Sequence, residues 1–155
     1  MKLGSLEKNG LRCLVRIGLQ QERTGQGLTL AEVSQAEGLS VPNVAKVMRV
    51  LRIGGFVRST RGHAGGYALA RSCDEITVGQ VLAVLGGRLF EPDFCVGNGG
   101  SHNPCPHATT CPVRPVWARV QTLIDTVLCR VTLRTLYSDE REVAVCILNA
   151  GEDLE

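Results

Sequence analysis

Aromatic residues are scarce, with one Trp, two Tyr and three Phe in 155 residues. A core without ring-sized fillers must be built from Val, Leu, Ile and Ala, which suits helices better than a β-sandwich. Long apolar runs are missing too. No stretch reaches the ~18 to 20 residues of a membrane-crossing helix, and the N-terminus has no hydrophobic signal region, so the expected location is the cytoplasm. No Ser/His/Asp set, phosphate-binding loop or paired-carboxylate motif stands out, and the Gly-Gly pairs lack nucleotide-binding spacing. An enzyme is therefore not expected. The seven cysteines are an odd number, which argues against a secreted disulfide framework. In a reducing compartment, clustered Cys points to metal binding or redox chemistry.

The net charge of +2 decides little, but its distribution is uneven. Lys46, Arg49, Arg52, Arg58, Arg61 and Arg71 crowd one third of the chain, while acids dominate the tail. A length of 155 residues fits one small domain with an appended oligomerisation element.

Leu6, Leu11, Leu14 and Ile17 recur at near-helical spacing after Ser5, a candidate N-cap, which predicts a first helix over 6–22. Thr29 with Glu32 forms a capping box that opens a short helix, and Gly38 ends it. Ser40 then caps a third helix with Val44, Val47, Met48 and Leu51 on one face. Two helices joined by so tight a Gly-containing turn are a helix-turn-helix. Strands over 56–60 and 67–70 flank a Gly-rich turn at 61–66, and this hairpin is a wing whose tip carries Arg61 and His63. Glycines at such a tip let the backbone approach a phosphate or a minor groove closely.

Thr77 with Gln80 is a second capping box, opening a helix that Gly86 and Gly87 end. From Pro112 onward Val113, Val116, Trp117, Val120, Leu123, Ile124, Val127, Leu128 and Val131 make a continuous apolar stripe. Such a helix, beyond a domain that has already closed, has its natural burial against a second copy, with packing inside one subunit as the alternative. Thr132 is a candidate cap for a short terminal helix through Leu136. The expected fold is mainly α with a small β-wing. A winged helix-turn-helix domain spans 1–88, a cysteine-rich loop 89–111, a dimerisation helix with a short terminal helix 112–137, and an acidic C-terminal tail 138–155.

Between wing domain and long helix lies CVGNGGSHNPCPHATTC at 95–111, too rich in Gly, Pro and Asn to order itself. Nine residues separate Cys95 from Cys105 and five separate Cys105 from Cys111. These thiolates are soft ligands suited to an iron-sulfur cluster or to zinc. The loop has no fourth cysteine, so a fourth ligand comes from His107, from His63, or from Glu7 or another side chain of the first helix, including one across a dimer. An iron-sulfur cluster is the leading reading, a zinc site of Cys95, Cys105, His107 and Cys111 the second, and a redox disulfide the third. Cys13 and Cys129 read as small apolar helix residues, Cys73 and Cys146 as incidental, and His102 as a loop residue.

Taken together, the motifs GLR at 10–12, SVPNVAK at 40–46, LRIGGFV at 51–57, RGHAGGY at 61–67 and ITVGQV at 76–81, followed by the three-cysteine loop and Trp117, are specific. Over about residues 1–137 the chain resembles the winged-helix iron-sulfur transcriptional regulators of the IscR/NsrR type. The resemblance implies a homodimer crossing through the long helix and a 2Fe-2S or 4Fe-4S cluster on Cys95, Cys105 and Cys111 plus a non-cysteine ligand. Departures fall at the fourth ligand. Arg114 stands where the cluster-assembly regulators place a histidine, and Lys8 where some nitric-oxide and redox sensors place an acid, with Glu7 adjacent.

The expected function is a dimeric regulator of transcription whose affinity for a pseudo-palindromic operator in double-stranded DNA is set by the cluster. Ser40, Asn43, Lys46, Arg49, Arg52, Arg58, Arg61 and His63 are the candidate DNA contacts. The alternatives are a cluster carrier or electron-transfer protein, and a zinc-stabilised winged-helix regulator.

Overall fold

The computed structural model describes residues 4–60, 65–88 and 110–152. Helix α1, Ser5–Thr24, follows from the inward spacing of Gly10, Cys13, Leu14, Ile17 and Gly18, all buried. It is longer than the expected 6–22 because Gly4, not Ser5, is its N-cap, and because Gly25 takes a left-handed φ of 70° only after Thr24. The interior glycines, each normally costing a helix ~0.5 to 1 kcal/mol, are close approaches. A Cβ at Gly10 would strike the Leu85 side chain, and one at Gly18 would occupy the place of the Tyr137 hydroxyl.

Helices α2, Leu30–Glu37, and α3, Val41–Ile53, form the expected helix-turn-helix. The Thr29 hydroxyl accepts the Glu32 N–H at 3.2 Å while the Glu32 carboxylate accepts the Thr29 N–H at 2.7 Å, which is the capping box foreseen. Ser40 is the N-cap of α3, though its side chain makes no capping bond. Two arginines of α1 hold α2 in place. The Glu37 carboxylate accepts from Arg12 Nε at 2.9 Å and from Arg16 Nε at 2.7 Å.

Strands β1, Val57–Thr60, and β2, Gly66–Leu69, pair antiparallel with Val57 opposite Leu69 and Thr60 opposite Gly66. Leu28 extends this ribbon on its other side, exchanging both backbone hydrogen bonds with Tyr67 at 2.9 and 2.7 Å. Helix α4, Val78–Leu85, starts at the Thr77/Gln80 capping box and ends at Gly86, whose φ is 88°.

The long helix α5 spans Arg114–Leu128. Its C-terminal exit is bonded to the wing domain, where Val78 N–H donates to the Val131 carbonyl at 2.8 Å and Leu133 N–H to the Ile76 carbonyl at 2.7 Å. The Thr132 hydroxyl accepts the Thr135 N–H at 3.3 Å and opens a 3-10 turn, Thr135–Tyr137, in place of the short helix expected there. Beyond it, where only an acidic tail was expected, a further helix α6 runs Glu140–Glu152.

A main core gathers α1, α2, α3, the ribbon and α4, and a smaller cluster of Val78, Leu82 and Val131 takes in Leu128 of α5. Phe56, Leu14, Ile17, Met48, Leu51, Ile76 and Leu133 are fully buried in the main core, so the segment after α5 contributes to the same core as α1 and α3. Among the described residues, no helix is long and apolar enough to cross a membrane.

Candidate nucleic-acid interface and sensor loop

On α3 the buried face of Val44, Val47, Met48 and Leu51 dictates what points outward. Lys46 and Arg49 lie opposite that face, with Asn43 on one flank and Arg52 on the other. All four, and Ser40 before the helix, are exposed, as is Arg58 on β1. The helix-turn-helix thus presents three cationic side chains and two polar ones away from its buried face, with Arg58 on the adjoining ribbon. Arg61 and His63 lie outside the described residues.

Cys95, Cys105 and His107 lie outside them too. The two ends of the cysteine loop are described. At the leading end, Arg88 donates to the Asp125 carboxylate of α5 at 2.6 Å, and Gln121 donates to the other oxygen of that carboxylate at 2.8 Å. At the trailing end, Cys111 is a half-buried free thiol three residues before α5 begins. Both flanks of the loop therefore meet α5.

Glu7 is the described candidate for the fourth ligand. Its side chain packs against Gly87, where a Cβ would meet Glu7 Cγ at 3.1 Å, just ahead of the loop. Its Oε2 is buried without a hydrogen-bond partner. A carboxylate oxygen removed from water and left unpaired is costly, and a cation is the partner its chemistry accepts. Among the described residues no group of three or more His, Cys, Asp or Glu side chains comes together as a metal site.

A second polar cluster was not foreseen from sequence. Arg134, just after the α5 exit, pairs with Glu22 of α1 and, at 3.2 Å, with Asp74. Its guanidinium also lies over the Tyr137 ring at 5.7 Å. Hydrogen bonding to Arg134 holds the Asp74 carboxyl below its ordinary range. Burial, then a hydrogen bond to the Glu22 carboxylate, pushes the Cys73 thiol up, so Cys73 is a neutral donor here. No spacing in the sequence announces this cluster, because its members are 52 and 60 residues apart and meet only through the fold.

The winged helix-turn-helix fold finds counterparts among known proteins. The profile of the Rrf2 family, described as an iron-dependent transcriptional regulator, matches residues 6–139. This chain belongs to the Rrf2 family. Within that family it is similar to protein rrf2 of Nitratidesulfovibrio vulgaris, 32% identical over 151 residues that cover 97% of this chain and 94% of the relative. The HTH-type transcriptional regulator IscR of Vibrio vulnificus is 27% identical over 145 residues, covering 94% and 82% of the two chains. Among solved structures, T. potens IscR superposes with a TM-score of 0.65 at 25% identity, over 100% of this chain and 92% of its own. CymR, the global cysteine regulator of B. subtilis, shares the fold with a TM-score of 0.65 at 24% identity, over 90% of this chain and 99% of its own. These Rrf2 relatives are regulators of transcription rather than enzymes, and the chain is a DNA-binding regulator of the same type.

Proposed function

We propose that this Rrf2 regulator is a cytoplasmic homodimer on a pseudo-palindromic operator. An iron-sulfur cluster (2Fe-2S or 4Fe-4S) on Cys95, Cys105, Cys111 and Glu7 sets its affinity for that operator. The observation that carries the cluster reading is the buried, unpartnered Glu7 Oε2, which lies over Gly4 at the start of α1 while the Cγ of the same side chain packs against Gly87, just ahead of the three-cysteine loop. The family's description as iron-dependent supports it. When bound, the cluster supplies ligation that oxidants or nitric oxide can alter.

The rest is done by the chain's own residues. Arg88 and Cys111 join the loop to α5, and α5 joins back to the wing domain through Val131 and Leu133. Ordering the loop fixes how α5 leaves the core, and in a two-fold dimer that fixes the spacing of the two α3 helices. The α5 face that supports dimerisation is exposed at Val113, Val116 and Trp117.

Anaerobic purification with an absorbance spectrum and an iron-to-sulfide ratio tests the cluster. Coloured protein with matched iron and sulfide is expected, and Cys95→Ser or Cys111→Ser should abolish the colour. Colourless protein carrying zinc would replace the cluster by a site of Cys95, Cys105, His107 and Cys111. Retention of the spectrum in Glu7→Ala together with its loss in His107→Ala would move the fourth ligand to His107.

A further inference from the structure

The surface between α1 and α3 holds a polar cleft that the recognition helix alone does not account for. Ser5 and Asn9, one turn apart on α1, face Asn43 and Lys46 on α3 across a cavity of about 110 Å³ floored by Leu6 and Val47. At ~30 Å³ per water that volume holds a few waters, room enough for a phosphate group. The lining includes one cation, two amides and one hydroxyl, and no acid. Among the described residues none of these four polar side chains has a hydrogen bond or ion pair of its own. Four polar side chains able to donate line a small opening beside the exposed face of α3.

We infer that this cleft seats one phosphate of the DNA backbone, with Lys46 supplying the charge and Ser5, Asn9 and Asn43 the hydrogen bonds. The inference rests on the reading of α3 as the DNA face and adds α1 to that face. Lys46 and Asn43 lie within reach of both groove and backbone. Ser5 and Asn9 belong to a helix otherwise committed to the core, so contacts from them position the duplex without reading its sequence. A phosphate held from two helices also fixes the angle at which α3 enters the groove.

The test uses the full-length protein, titrated onto a random-sequence duplex and onto a selected operator at several salt concentrations. Asn9→Asp and Ser5→Asp each place a negative charge in the cleft. Both should weaken binding to the two duplexes alike, by about tenfold at ~0.1 M salt, and lower the slope of log affinity against log salt by about one. Asn9→Ala and Ser5→Ala, which add no charge, should lower affinity for both duplexes alike with the slope unchanged, and stand in if either Asp variant melts early. Unchanged affinity and slope in these variants, with Lys46→Ala still weakening binding, would overturn the cleft while leaving the α3 face intact. Failure of Lys46→Ala and the α1 variants alike to weaken binding would overturn both.

Discussion

Helix α1 buries Gly10, Cys13, Leu14, Ile17 and Gly18 against its own chain, whereas α5, of comparable length, buries a single residue, and that residue is the polar Gln121. The apolar stripe of α5 is no poorer than that of α1. Val113, Val116 and Trp117 nonetheless stand 45 to 56% exposed, and Val120, Leu123, Ile124 and Val127 are only half covered. The contrast separates a half whose apolar faces are covered from one whose apolar stripe stays partly exposed. Apolar surface left in water at ~25 cal/mol per Å² favours whatever covers it, and the homodimer proposed above would cover it with the same helix of a second chain.

The largest effect should come from breaking the incomplete half. Trp117→Asp combined with Val120→Asp should convert dimer to monomer by light scattering and lower operator affinity by about 100-fold or more, since two tethered recognition helices become one. Because these residues support little within one chain, the winged half should lose no more than ~0.5 kcal/mol. A variant that unfolded outright would mean that α5 packs inside its own subunit.

The complete half is best tested where it admits no spare volume. Gly18→Ala drives a methyl into the Tyr137 hydroxyl and should cost about 1 to 3 kcal/mol in chemical denaturation. Tyr137→Phe removes that hydroxyl, which is buried without a partner, and should be close to neutral. The double variant should recover part of the loss, a coupling of the kind found between contacting residues. Additive effects would show that the two sites do not touch.

The contrast was partly legible in the residues. Period and capping boxes located α2, α3 and α4 because each is a local signal: Thr29 meets Glu32 and Thr77 meets Gln80 within three positions. The apolar stripe of α5 was legible for the same reason, as a helical repeat of Val, Trp, Leu and Ile from Val113 to Val131. What escaped was non-local. Leu28 pairing with Tyr67, Val131 with Val78, and Arg134 with Glu22 and Asp74 depend on how distant segments are folded together. The interior glycines of α1 look like helix weaknesses until Leu85 and Tyr137 are seen filling the places of their missing side chains. The α6 helix was hidden by its acidic ends, although Val145, Ile147 and Leu148 break the acidic pattern.

Burial should also separate the thiols of the two halves. Cys13 is fully buried, and burial pushes its thiol up to about 11 from an ordinary 9.0. Its folded pKa exceeds its unfolded one, so its contribution is whole below pH 9 and is lost as pH rises toward 11. The slope is about 1.4 kcal/mol per pH unit in that window. Cys13→Ala should flatten this alkaline limb in denaturant titrations. Alkylation at neutral pH should label the exposed Cys129 and leave Cys13 intact until the protein unfolds.

The smallest expected effect lies at the joint between the halves, where Arg134 reaches from the α5 exit to Asp74 and Glu22. The Asp74 carboxyl is held below its ordinary 3.8 by hydrogen bonding to Arg134, so the sign is the reverse of that at Cys13. Its contribution is present above pH 3.8 and is lost as pH falls through the lower folded value. Asp74→Asn should therefore lower stability slightly near neutrality and remove part of the acid dependence below pH ~4. The exposed setting of the pair keeps this change small. Operator binding is the more sensitive readout. If the joint sets how α5 leaves the winged half, Asp74→Asn should loosen DNA binding by more than its effect on stability accounts for. Equal losses in the two measurements would make Arg134 a surface ion pair and leave the Val131 and Leu133 backbone bonds to carry the joint.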